Sequence, residues 1–358
     1  MPSINWNTLC YNSACLIAGV FVLDYGADKF IDHTALLARR LGISQTLIAL
    51  LTAGAEYEEL AVVIAAVLQK RGSLALGNVM GSTISNILGA FSLGLLVHPG
   101  RMQFDRSARS YTAILLGLTT MSAGLTWGGK LNRVTGGILV ATFAIYLFSI
   151  GFAIYRGVVD APELSDSDND SDSDSDSDDV ESRIHPSETS RLLGDQLPSP
   201  VEGRHAPSLA YHLVHLVIGL VALSLSGYIL AQSASAIADS LHLSGTVVGF
   251  TILSIATTIP EKLIAIMSGV RGHSGIVVAN TAGSNIFLLT LCVGVVALSG
   301  EVSGNMSDYM TLFELISVWV SAALLAAVVF LDLGRWMGAV LLIAYAAFLV
   351  CEFTVYRR

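Results

Sequence analysis

The sequence predicts an all-α integral membrane protein with about ten transmembrane helices, arranged as two inverted five-helix repeats. Three observations predict it. The 358-residue chain is 53% hydrophobic and only 13% charged, about half the roughly 25% charge of a soluble domain, and its mean hydropathy is +0.66. Its apolar residues fall into ten blocks, each close to the ~20 residues a helix needs to cross a bilayer. The two halves of the chain also repeat one another around a glutamate and a Gly-Ser pair.

The blocks are residues 9–31, 46–68, 74–97, 111–127 and 135–155, then 209–231, 246–270, 275–298, 310–331 and 336–356. Five precede an acidic stretch and five follow it. This divides the chain into a first repeat (1–156), a linker (157–207) and a second repeat (208–358). The linker holds fourteen of the 28 acidic residues and three of the 19 basic ones, leaving sixteen basic and fourteen acidic elsewhere. The formal net charge of −9 therefore describes the linker and gives no reason to expect a nucleic-acid partner. The Ser-Asp run from Ser165 to Asp179 cannot bury enough apolar surface to fold, so the linker is expected to be disordered. The run lacks the turn glycine and closing glutamate of an EF-hand loop; serine phosphorylation or weak calcium screening are readings beside a plain solvated linker.

Loop charge predicts the topology. The side that receives the loop after the first helix holds eleven arginines: Arg39, Arg40, Arg101, Arg106, Arg109, Arg156, Arg183, Arg191, Arg204, Arg271 and Arg335. The other side holds Lys70, Arg71, Lys130, Arg133, Arg357 and Arg358. The excess places the linker in the cytoplasm and both termini outside or in a lumen. The sequon Asn305-Met306-Ser307 falls on the lumenal side. Glu188-Thr189-Ser190-Arg191-Leu192-Leu193 matches an acidic dileucine sorting pattern and hints at a vacuolar or other endomembrane address.

Cys10, Cys15, Cys292 and Cys351 lie in or beside apolar blocks with no CxxC pair, and read as small packing residues. No zinc motif, nucleophile elbow, P-loop or dinucleotide fingerprint occurs. The chain is therefore not expected to be an enzyme, nor to carry a cofactor. Its expected partners are membrane lipid and transported inorganic cations.

In the first half Glu59 precedes Gly77-Asn78-Val79-Met80-Gly81-Ser82; in the second Glu261 precedes Ala279-Asn280-Thr281-Ala282-Gly283-Ser284. Each glutamate stands 23 residues before its serine (82 − 59 and 284 − 261). Leu41-Gly42-Ile43-Ser44 and Leu241-His242-Leu243-Ser244 open the two units. Five helices is an odd number, so the second unit must enter the membrane from the opposite side, an architecture that puts a transporter's binding site at the midplane between the units.

A carboxylate within the bilayer costs several kcal/mol. Glu59 and Glu261 are tolerable if they face the bundle interior and share a cation. Two carboxylates match a divalent charge, and calcium takes six to eight oxygen ligands. Ser82, Asn86, Thr257, Thr258 and Ser284 are neutral oxygens nearby in sequence, although such residues also bridge helices for purely structural reasons. Gly54, Gly81, Gly283 and Pro260 are expected to loosen helices and free carbonyls for coordination.

Ala256-Thr257-Thr258-Ile259-Pro260-Glu261 and Gly283-Ser284-Asn285-Ile286-Phe287 resemble the second alpha repeat of the cation/calcium exchanger superfamily. Leu76-Gly77-Asn78-Val79-Met80-Gly81-Ser82 resembles the first repeat of its sodium/calcium exchangers, and Gly81-Ser82-Thr83-Ile84-Ser85-Asn86 is similar to that of the proton/calcium exchangers. The resemblance covers nearly the whole chain outside the linker. It implies an antiporter that exchanges calcium for protons or sodium by alternating access. Glu59 and Glu261 would be the main ligands, with Ser82, Asn86, Thr257, Thr258 and Ser284 lining the ion sites. A transport-deficient calcium sensor or scaffold on the same fold is the alternative.

The sequence departs from the family pattern in three places. Ala55-Glu56-Tyr57-Glu58-Glu59 replaces Thr-Ser-x-Pro-Glu in the first repeat, and Ser44 lies 15 residues before Glu59 where Ser244 lies 17 before Glu261. Leu288 stands where the sodium/calcium branch often has an aspartate, with Asn86 as its counterpart. Glu56 is read as an added ligand or a proton carrier, since like charges crowded together disfavour full ionisation. Glu58 either joins it or faces a loop or vestibule. Lys262, directly after Glu261, is expected to snorkel or to pair with an acid. Asp24 and Asp28, one turn apart beside Lys29, read as a helix-end cluster at the aqueous boundary or as part of an ion path.

Overall fold

The computed structural model describes residues 5–40, 56–155, 209–302 and 309–355. The linker, the sequon, the dileucine pattern and Gly54 lie outside the described residues. Every element described is helical. The helices are α1 (Trp6–Arg40), α2 (Tyr57–Leu68), α3 (Gly72–Val97), α4 (Arg106–Trp127), α5 (Arg133–Tyr155), α6 (Leu209–Leu241), α7 (Gly245–Thr257), α8 (Ile259–Val270), α9 (Ser274–Ser299), α10 (Leu312–Phe330) and α11 (Trp336–Thr354). The second repeat has its five spans as α6, the broken pair α7 and α8, α9, α10 and α11. The pair is bent by 49° at Thr258. Pro260 has no N–H to offer the carbonyl of Ala256, so the ladder must break there, and its fixed φ suits the first turn of α8.

Helix α1 continues to Arg40, past the predicted end of its block. Asp24 and Asp28 therefore sit within the helix with exposed side chains rather than at a helix end. At 35 residues and ~1.5 Å per residue, α1 is longer than a bilayer core is thick.

The inversion is visible in the helix contacts. Gly19 lies against Leu230, Gly26 against Leu223 and Phe30 against Gly219, while His33 Nδ1 lies 3.0 Å from His212 Nδ1. Rising numbers on α1 meet falling numbers on α6, so the first helices of the two repeats are antiparallel. Helices α4 and α10 are likewise antiparallel, joined by Trp319 Nε1 donating to Thr120 Oγ1 at 3.0 Å. Glycines permit these close crossings, as they do between membrane helices generally.

One register relates the repeats. Gly136 of α5 packs on Gly294 and Leu298 of α9, and Gly338 of α11 packs on Ser92 and Leu96 of α3. Each position is offset from its counterpart by 202 (338 − 136, 294 − 92, 298 − 96), the same offset as Glu261 from Glu59. Helices α3 and α9 form the centre, with 89% and 78% of their most apolar windows buried against 11% for α5. Both contain one wide π-helical stretch, Ser85–Phe91 and Leu288–Cys292, whose centres, Leu88 and Thr290, are related by the same offset.

Gly81 and Gly283 do not break their helices; α3 and α9 run through them. Gly81 instead allows contact with α7, because a Cβ there would lie 2.5 Å from Phe250 Cα.

The ends of the bundle are tied by charged and capped contacts. Arg109 Nη2 meets Asp332 Oδ2 at 2.7 Å, and Arg71 Nη2 meets Asp239 Oδ2 at 3.3 Å at the opposite end. Thr311 and Glu314 form a reciprocal capping box that starts α10. Thr311→Ala should lower stability by about 0.5–2 kcal/mol, read as a reduced melting temperature in detergent. Arg71→Ala, at an exposed pair, should cost under about 1 kcal/mol.

Candidate cation site

Both glutamates stand in the first turn of a helix, Glu59 in α2 and Glu261 in α8. There the unpaired N–H groups and the helix dipole favour negative charge. Glu56 precedes α2 as its N-cap residue. The three carboxyl groups converge: one oxygen from each of Glu56, Glu59 and Glu261 lies within 4.8 Å of the others. All three side chains are buried, Glu59 completely. Neither Glu59 oxygen nor Glu261 Oε2 accepts a hydrogen bond. Buried acceptors without donors cost free energy, and a shared divalent cation would offset that cost.

Glu58 is not part of this group. It is one residue from Glu59 on a helix, so its side chain points elsewhere, and it is only partly buried. Of the two readings of Glu58, a place among the converging carboxyl oxygens is not the one the geometry gives.

The polar residues predicted from the motif are all buried, and the structure gives them distinct roles. Ser82 Oγ lies 3.4 Å from Thr257 Oγ1, which joins α3 to the end of α7 across the repeat interface. The Asn86 amide, in the π stretch of α3, has no hydrogen-bond partner on either atom. Ser284 donates to the Asn280 carbonyl of its own helix at 2.7 Å, leaving its lone pairs as acceptors. Leu288 is fully buried and supplies no ligand oxygen.

Thr258 is tied into a hydroxyl network at the helix break. Its hydroxyl donates to the Ser254 carbonyl at 2.6 Å. It also lies 2.8 Å from Ser85 Oγ and accepts from Lys262 Nζ. Lys262 therefore neither snorkels nor pairs with an acid.

Sequence reasoning missed Ser85, Asn78 and Tyr345. Ser85 lies three residues after Ser82 and so on the same helical face, a signal available in the motif itself. Asn78 is fully buried with no hydrogen bond on either amide atom, one turn before Ser82. Tyr345 donates to Ser85 Oγ at 3.0 Å from α11; nothing in its local sequence marks it.

The chain matches the family profile described as "Sodium/calcium exchanger protein" over residues 11–152 and 211–354. Inner membrane protein YrbG of Escherichia coli is 26% identical over 289 residues, covering 80% of this chain and 79% of that one. Sodium/calcium exchanger MaX1 of Methanosarcina acetivorans is 25% identical over 355 residues, covering 96% and 99%. Among solved structures, the sodium-calcium exchanger NCX_Mj soaked with sodium and strontium superposes with a TM-score of 0.56 at 20% identity, over 97% of this chain and 99% of that one. That likeness establishes the fold.

Proposed function

The chain belongs to the sodium/calcium exchanger family, and on that premise we propose that it exchanges calcium, or a similar divalent cation, for a monovalent cation by alternating access. The observation that carries this reading is the convergence of Glu56, Glu59 and Glu261 from both repeats at a buried point. A site made jointly by two inverted units can open to either side as they rock against each other. Ser82, Asn86, Thr257, Thr258 and Ser284 complete the lining. The names of its relatives agree, since MaX1 is called a sodium/calcium exchanger.

The repeats are residues 1–156 and 208–358, joined by an acidic linker at 157–207. On the arginine distribution the linker is cytoplasmic and both termini are lumenal or extracellular, and the dileucine pattern at Glu188–Leu193 is what suggests an endomembrane such as the vacuole. No cofactor takes part; the ions are substrates.

The counter-ion on this reading is the proton. Glu56 adds a carboxyl where the family pattern has a hydroxyl, and Leu288 removes oxygen where a sodium site would need it. Carboxylates must shed their protons to bind a metal, so calcium binding releases protons and weakens as pH falls.

The test is calcium uptake into proteoliposomes under an imposed pH gradient or an imposed sodium gradient. Uptake driven by the pH gradient in sodium-free buffer is expected, with weaker apparent calcium affinity at acid pH. Uptake that requires sodium would replace the proton as counter-ion. Calcium binding without flux under either gradient would make the protein a sensor.

A further inference from the structure

Lys262 follows Glu261 directly, yet its ammonium group bonds to no carboxylate. Nζ donates to Ser85 Oγ at 2.8 Å, to the Thr258 carbonyl at 3.1 Å, and to the Thr258 hydroxyl. These three acceptors match the three donors of an ammonium ion. Ser85 and Thr258 are fully buried. Thr258 gives its proton to the Ser254 carbonyl, so Ser85 is the donor in the Ser85–Thr258 contact, and Ser85 in turn accepts from the Tyr345 hydroxyl. This hydroxyl chain turns oxygen lone pairs toward the lysine. The side chain is held along α3, where a Cβ on Gly89 would lie 3.4 Å from Lys262 Cε.

A buried cluster of neutral oxygens around one positive charge is what a small monovalent cation also requires. Thr258 is itself one of the residues expected to line the ion path. The charge count points the same way. Glu56, Glu59 and Glu261 carry three negative charges when ionised. Lys262 supplies one positive charge beside them, and the remaining two equal one divalent or two monovalent cations.

We propose that the Lys262 ammonium is a tethered monovalent cation, filling a subsite of Ser85 and Thr258 oxygens that a free sodium ion would otherwise enter, so that one divalent ion exchanges for two monovalent charges. This rests on the antiport reading above. Because the lysine charge stays with the site in both loaded states, the exchange moves no net charge. Lys262→Met keeps an unbranched stem of similar length and removes the cation, which opens the oxygens to a free ion. Lys262→Arg keeps the charge.

The experiment has two parts. Radioactive sodium bound per chain is counted on purified full-length wild type, Lys262→Met and Lys262→Arg in detergent. Lys262→Met should bind one sodium ion per chain more than the wild type, and Lys262→Arg no more. Calcium accumulation is then measured in proteoliposomes clamped at diffusion potentials of either sign. The wild type should accumulate calcium equally at both. In Lys262→Met the added sodium is expected to ride only in the monovalent-loaded state, so that three monovalent ions exchange for one calcium; with sodium present, about 100 mV should then shift the equilibrium accumulation about 50-fold, the factor for one net charge crossing that potential.

An unchanged sodium count in a folded Lys262→Met protein overturns the proposal. So does wild-type accumulation that itself shifts about 50-fold, a result that needs no variant and stands even if Lys262→Met does not fold. Absence of any wild-type calcium flux would sink the antiport reading alone, because the sodium count is read without transport.

Discussion

Glu261→Gln should abolish calcium exchange and leave the fold intact. The carboxylate belongs to the buried group with Glu56 and Glu59, and an amide of nearly the same shape removes its charge. Loss of one partner from a buried charged contact costs about 2–5 kcal/mol, or ~30-fold to several thousand-fold in affinity. The fold should survive because Glu261 Oε2 receives no hydrogen bond, and because removing one of three crowded negative charges relieves repulsion. In calcium-free detergent the variant should melt at or above the wild-type temperature. Added calcium should raise the wild-type melting temperature and leave the variant unmoved, since only a ligand that binds the native state stabilises it. Wild-type flux in Glu261→Gln would remove this residue from the site.

The second large effect is structural. At Gly81 an added Cβ would lie 2.5 Å from Phe250 Cα and 2.6 Å from its carbonyl oxygen. Both neighbours are backbone atoms of α7 and cannot rotate away. Overpacking in a core with mobile side chains costs about 1–3 kcal/mol; Gly81→Val should exceed that and separate α3 from α7. Expected results are loss of the monodisperse peak on size exclusion and loss of transport. Gly117→Ala on α4 is the control, since nothing lies within 4 Å of its added Cβ. That substitution should leave folding intact, or gain up to about 1 kcal/mol from helix propensity.

The architecture was legible because membrane burial imposes strong patterns on sequence. Block length reports helices, and the equal 23-residue spacing from Glu59 to Ser82 and from Glu261 to Ser284 reports the repeat. The convergence of Glu59 with Glu261 followed from the inversion. Glu56 was legible as a carboxyl replacing a hydroxyl, though its membership in the cluster over Glu58 depends on helix phase. The π stretches were not legible, because Ser85–Phe91 and Leu288–Cys292 have no composition that distinguishes them from α-helix. Gly81 was misread as a helix breaker because a glycine in sequence does not reveal which backbone approaches it. Lys262 was misread because its partners, Ser85 from α3 and Thr258 at the helix break, meet only in three dimensions.

The central position of α3 has a consequence for biosynthesis. Gly77 rests on Thr246 and Gly81 on Phe250, so its closest neighbours are translated some 170 residues later (246 − 77 and 250 − 81). While the ribosome is still making the linker, Asn78 and Ser82 have no α7 to cover them. The first half must wait in the bilayer with its polar face exposed to lipid or to a chaperone. Only when the second half arrives do Glu59 and Glu261 meet, so the site comes into being at the last step of assembly. Two halves made as separate polypeptides would face the same docking problem, and their recombination in one membrane would measure how much of that step depends on the covalent tether.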